Sequence, residues 1–155
     1  MMKNRPGISP AAALALVLSG LCTLVPLLRA QAQEAAPPED NAITLELNRA
    51  EDVAGGCRIY LVTHNGLDVA LDPFTLDFVA FDADSVIVTR LAVDLAPVAP
   101  AKTMVRLFDI VGPACADLSA LLLNDVVACS AGDLNDRGCL AGLTVASRAA
   151  IDLRL

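Results

Sequence analysis

His64 is the only histidine in the 155-residue chain, so any mechanism that needs an imidazole must pass through it. Ser119 or Ser147, with one of the aspartates, would complete a nucleophile, a base and an acid. Neither serine lies in a Gly-x-Ser-x-Gly elbow or a comparable motif. His64 directly precedes Asn65-Gly66 and reads as a surface histidine beside a turn. A single histidine also excludes the common His-rich zinc sites.

Cys57, Cys115, Cys129 and Cys139 form the second candidate set. Four thiolates could hold a metal, but spacings of 58, 14 and 10 residues contain no Cys-x-x-Cys knuckle. With the export leader described below, an even set of four reads as two disulfides in an oxidising compartment. Four cysteines allow three pairings. Cys129 and Cys139 bracket a stretch short enough to close as a surface loop, which would leave Cys57 for Cys115.

Asp82-x-Asp84 and Asp133-x-Asn135-x-Arg137-Gly138 each match a fragment of a calcium loop. In the first, Val93 stands where a bidentate acid is needed. In the second, Arg137 puts a positive charge at a ligand position and Thr144 replaces the closing Glu. Both read as turns whose Asp and Asn side chains bond nearby backbone. No aromatic platform for a sugar and no glycine-rich phosphate loop is present. No catalytic, cofactor-binding or metal-binding residue is therefore assigned, and no cofactor is expected.

The elements that would position these residues begin after a leader. Lys3 and Arg5 form a positive head, Ala11 to Leu28 is an apolar run interrupted by Gly20 and Pro26, and Ala30-Gln31-Ala32 is a small-x-small cleavage site. Residues 1–32 thus read as a cleaved signal peptide rather than a retained anchor. Cys22 follows the bulky Leu21, which disfavours a lipoprotein site, and Arg5 has no arginine neighbour for a twin-arginine signal. Residues 33–41, with Ala35-Ala36-Pro37-Pro38-Glu39-Asp40, read as a disordered linker.

Losing Lys3, Arg5 and Arg29 from 11 basic residues leaves 8 against 18 acidic ones, a formal charge of −10 for the mature chain. That balance argues against nucleic acid or an anionic lipid surface as a partner. No stable membrane insertion is expected once the leader is removed. The remaining residues make one domain, with Val, Leu, Ile and Ala filling the interior because tryptophan is absent and aromatics are 3% of the chain.

Residues 42–155 read as an all-β domain. Ile43, Leu45 and Leu47 alternate with polar residues, and Cys57, Ile59 and Leu61 alternate with Arg58 and Tyr60 in a half-buried strand closed by the Asn65-Gly66 turn. Phe74, Leu76 and Phe78 face the core of a central antiparallel strand, with Asp77 in water. Val86 to Leu95 turns Ile87, Leu91, Val93 and Leu95 inward, with Arg90 and Asp94 outward. In Lys102 to Ile110 both faces are apolar and either could be the inner one. A turn at Asp117 to Ser119 leads to a strand from Leu121 to Cys129, though Leu118, Leu121 and Leu122 also fit helical spacing. Ser130 to Gly138 is a polar loop, and a last strand, Ala149 to Leu155, turns Ile151, Leu153 and Leu155 inward. About seven strands at this spacing predict an antiparallel β-sandwich, with a small barrel as the alternative.

The Cys57 strand ending in Asn65, the Phe78-Val79-Ala80-Phe81-Asp82-x-Asp84 turn, Leu107-Phe108-Asp109-Ile110, and Leu122-Leu123-Asn124-Asp125-Val126-Val127-Ala128-Cys129 together resemble a group of small exported proteins of gram-negative bacteria. Some members of that group are recognised only by their signal sequence and lie beside TonB-type transport genes. The strand-turn-strand part is similar to the FxLYD-type immunoglobulin-like modules of bacterial envelopes. The resemblance covers Ile43 to Leu155 and carries no catalytic residue. It implies a periplasmic, non-catalytic binding or accessory module that meets an envelope protein, in the setting of TonB-type energised transport. The alternatives are a small periplasmic hydrolase using His64 and a ligand- or calcium-binding β-domain.

Overall fold

The computed structural model describes residues 42–155, and the expected leader and linker lie outside them. Eight strands form two four-stranded sheets: β1 (Ile43–Val53), β2 (Gly56–Asn65), β3 (Phe74–Asp82), β4 (Ile87–Asp94), β5 (Thr103–Val111), β6 (Leu118–Cys129), β7 (Leu143–Ser147) and β8 (Asp152–Arg154). The first sheet has the order β5-β2-β1-β7 and the second β4-β3-β6-β8. Their inner faces share one core, in which Ile43, Leu45, Leu47, Ile59 and Leu61 meet Phe74, Leu76, Phe78 and Leu121. This is an all-β sandwich with no closed barrel.

β1 and β2 make a two-residue hairpin at Ala54-Gly55, where Gly55 has φ 88°. Gly56 is fixed by space instead: a Cβ there would lie 2.1 Å from the Ile110 carbonyl oxygen of the neighbouring strand. The hairpin expected at Asn65-Gly66 does not form. β2 ends at Asn65 and the chain crosses to the second sheet. The Asn65 side chain, wholly buried, donates to Val69 O, Val98 O and Ala99 O at 2.8, 3.0 and 3.2 Å and accepts from Leu67 N. Asn65 thereby staples the β2–β3 and β4–β5 connections: it supplies a donor to the Val69 carbonyl and a second donor to Val98 O and Ala99 O, which also accept from Leu71 N and Lys102 N.

The fold corrects several expectations drawn from the sequence. There are eight strands and not seven, because β7 was not read from the sequence, and β1–β7 and β6–β8 are parallel pairs in an otherwise antiparallel fold. The Ser130–Gly138 loop runs into a short helix, α1 (Asp136–Ala141), capped by Asn135. β6 starts at Leu118, preceded by a single 3-10 turn at Cys115–Asp117, so the turn lies upstream of where the sequence placed it. Ile87 is 61% exposed because a bulge at Val88 rotates it onto the outer face, and Leu155 is 56% exposed because β8 ends one residue earlier. In β5 the inner face is Met104, Phe108 and Ile110, which leaves Val105 and Leu107 outside.

Two disulfides tie the sandwich. Cys57–Cys115 joins the start of β2 to the 3-10 turn over 58 residues, and Cys129–Cys139 joins the end of β6 to α1 over 10. Closing loops of these lengths stabilises the fold by roughly 3 to 4 kcal/mol per bridge in the chain-entropy account. Such bonds belong to an oxidising compartment.

Candidate contact surface on the open sheet edges

β4 and β5 are edge strands of different sheets that lie on the same side of the sandwich. Phe78 of β3 stacks on Phe108 of β5 with ring centroids 6.1 Å apart, and Arg106 of β5 donates to Ala96 O just beyond β4 at 3.0 Å. Exposed apolar side chains concentrate there. Of nine large exposed hydrophobics among the described residues, six (Val86, Ile87, Val88, Val105, Leu107 and Val111) belong to β4, β5 or the residue before β4. Ile87 lies on the outer face of the second sheet and Val105 and Leu107 on that of the first, so each of the two edge strands offers an apolar contact strip of its own.

Polar ladders frame this surface. On the outer face of the first sheet Arg58 forks onto Asp109, Nε to Oδ1 at 2.7 Å and Nη2 to Oδ2 at 2.9 Å. Hydrogen bonding from Arg58 holds the Asp109 carboxyl below the usual carboxylate range. Tyr60 donates to Glu51 at 2.5 Å, which raises the phenol pKa, and the Arg49 guanidinium lies 5.5 Å over the Tyr60 ring. Val62 faces Val105 and Tyr60 faces Leu107 across the β2–β5 ladder, so the apolar strip of β5 continues inward onto β2.

The second sheet carries an acid that the sequence placed in water. Asp77 points outward from β3 but is only 4% exposed, because Arg90 of β4 and Asn124 of β6 cover it. Arg90 Nε lies 2.8 and 3.1 Å from its two oxygens. Hydrogen bonding from Arg90, opposed by burial and helped by Asn124, holds the Asp77 carboxyl below its ordinary value. Nothing in an alternating pattern announces this cluster, since its members come from three strands.

The residues singled out for chemistry are dispersed. His64 sits on the outer face of β2 with Nδ1 3.0 Å from Thr103 Oγ1. Ser119 bonds the Asp82 carbonyl in the other sheet, and Ser147 bonds Ile151 O at 2.6 Å from the end of β7. Neither serine is brought to His64. Asp82 Oδ1 accepts from Asp84 N and Val86 N, closing a turn, and Asn135 accepts from Gly138 N as the cap of α1. Among the described residues no group of three His, Cys, Asp or Glu is placed to hold a metal, and no helix is long and apolar enough to cross a membrane.

Two shallow clefts complete the surface. One, of about 290 Å³, lies between Leu67–Val69 and the Ala131–Leu134 part of the Cys129–Cys139 loop; the other, of about 280 Å³, lies between Asn48–Ala50, Cys115–Ala116 and Arg148–Ile151. Both fall just under the range usual for small-molecule sites. Together these features define a disulfide-tied all-β sandwich with two apolar edge strands. No family model, curated protein or solved structure matches the chain.

Proposed function

We propose that the chain is an exported, periplasmic, non-catalytic binding or accessory module of the cell envelope, which docks on an envelope protein in the setting of TonB-type energised transport. The observation that carries this reading is the concentration of six exposed apolar side chains on the edge strands β4 and β5 and the residue before β4. Two disulfides favour an oxidising compartment, and the leader-like residues 1–32 supply a route to it. The domain is immunoglobulin-like in its first six strands: a hairpin, a crossing to the second sheet, a second hairpin, then β5 beside β2 and β6 beside β3. β7 and β8 depart from that plan by pairing in parallel.

A photo-reactive amino acid placed at Ile87 tests the docking side in living cells. We expect one discrete adduct with an envelope protein, and none when the same group is carried at Asp152 on the opposite edge. Recovery of uncrosslinked chain from both positions, across growth conditions, overturns the reading.

A further inference from the structure

The four open edges of the two sheets are not alike. β8 has three residues, β7 has five, and β4 is interrupted by the bulge at Val88. β5 has none of these features. Its nine residues pair with β2 in unbroken register, without proline, while Val105, Leu107 and Val111 stand 52%, 51% and 82% exposed. Soluble proteins blunt or cover a long, flat, apolar edge because it templates another strand.

The backbone of β5 is also poised for pairing. Asn65 N–H donates to Lys102 O at one end of the β2–β5 ladder, and Gly112 N–H to Gly55 O at the other. Antiparallel ladders alternate, so the even-numbered residues of β5 bond to β2. Thr103, Val105, Leu107, Asp109 and Val111 therefore turn their N–H and C=O groups to the open side, where no described strand pairs with them.

We propose that β5 pairs with β5 of a second copy of this chain, antiparallel about a two-fold axis through Leu107, joining two first sheets into one continuous sheet. This rests on the contact reading above and names the occupant of one of its two edges, leaving β4 for the envelope protein. Leu107 is the midpoint of Thr103–Val111, so this register engages the whole strand. It sets Leu107 against its own equivalent, Val105 against Asp109, and Thr103 against Val111. No like charges are opposed, and Asp109 is already neutralised by Arg58 of its own chain. Centring one residue earlier would set Arg106 against itself. A second copy supplies a strand of matching length, apolar spacing and charge, and such isologous pairs are the commonest oligomers.

Sedimentation of the exported full-length product at micromolar concentrations should give twice the mass of one chain. Leu107→Pro removes only an N–H that faces the open side, so the β2–β5 ladder survives and the mass should halve with an unchanged circular dichroism spectrum. Leu107→Lys serves the same purpose if the proline variant does not fold. Mild oxidation of Leu107→Cys should give a covalent dimer, because facing Cα atoms in a hydrogen-bonded pair are about 5.5 Å apart, within disulfide reach. Val111→Cys, which meets Thr103, should not. A monomer, a dimer that survives both Leu107→Pro and Leu107→Lys, or equal crosslinking of Val111→Cys overturns the proposal. A monomer that still yields the Ile87 adduct overturns self-pairing while the envelope contact stands; a dimer without that adduct supports self-pairing and removes the contact.

Discussion

Asn124 donates its side-chain amide to the Asp77 carboxylate at 2.7 Å from a bulge in β6. Twelve residues of β6 run beside nine of β3, and the pairing skips Ser119, Asn124 and Val127. A bulge re-aims the extra side chain, and here it brings Asn124 onto the acid that Arg90 holds from the other side.

Stability should fall in acid partly through Asp77. Its folded pKa is depressed, so its contribution is present above the unfolded carboxylate pKa and is lost as pH falls through the folded value, below the usual carboxylate range. Arg90→Ala should cost about 1 to 3 kcal/mol near neutral pH, since it leaves a covered carboxylate short of a donor. The cost should shrink toward pH 3, as read from urea denaturation at both pH values. An equal loss at both would show that the Asp77 charge is not involved.

Thr63 offers a stabilising change. Its side chain faces the core, 1% exposed, and its hydroxyl finds no hydrogen-bond partner among the described residues. Thr63→Val keeps the shape and removes an uncompensated polar group, so we expect a gain of up to about 1 kcal/mol. A higher denaturation midpoint with an unchanged slope is the measurement; a loss of stability would reveal a partner for the hydroxyl.

The bridges should matter unequally. Cys57→Ala with Cys115→Ala opens a 58-residue link across the core, whereas Cys129→Ala with Cys139→Ala frees a 10-residue link at one end. The chain-entropy account predicts the larger loss for the first pair, by roughly 1.5 kcal/mol. Melting temperatures of the two double variants give the order. Thiol titration of the unreduced exported product should find no free cysteine among the four.

His64→Ala separates contact from catalysis. The ring makes one exposed hydrogen bond, to Thr103, so stability should move by less than about 0.5 kcal/mol. In a hydrolase screen, activity that disappears with His64→Ala would favour an enzyme. We expect the variant and the parent to behave alike.

β1 and the first half of β2 were legible in sequence because Ile43, Leu45, Leu47, Cys57, Ile59 and Leu61 alternate strictly, and each is buried as that pattern requires. β6 was ambiguous for an identifiable reason. Its core residues, Leu118, Leu121, Leu123, Val126 and Cys129, are three, two, three and three positions apart, since each skipped residue breaks the period of two and imitates helical spacing. β7 escaped notice because a five-residue strand with only Leu143 and Val145 turned inward carries too short a pattern.

By itself the sequence determined that the strictly alternating stretches are extended and that four cysteines were available for pairing, because alternation and residue count are local properties of the chain. Which strands neighbour one another was decided by tertiary structure, and with it which apolar residues stay in water. Val105 and Leu107 belong to a strand apolar on both faces, and only the packing of Met104, Phe108 and Ile110 toward the core, on a strand with no described neighbour beyond it, leaves them exposed. The covered Asp77 and the stapling Asn65 follow from the same cause: their partners lie 13 to 47 and 4 to 34 residues away, and packing alone brings them together.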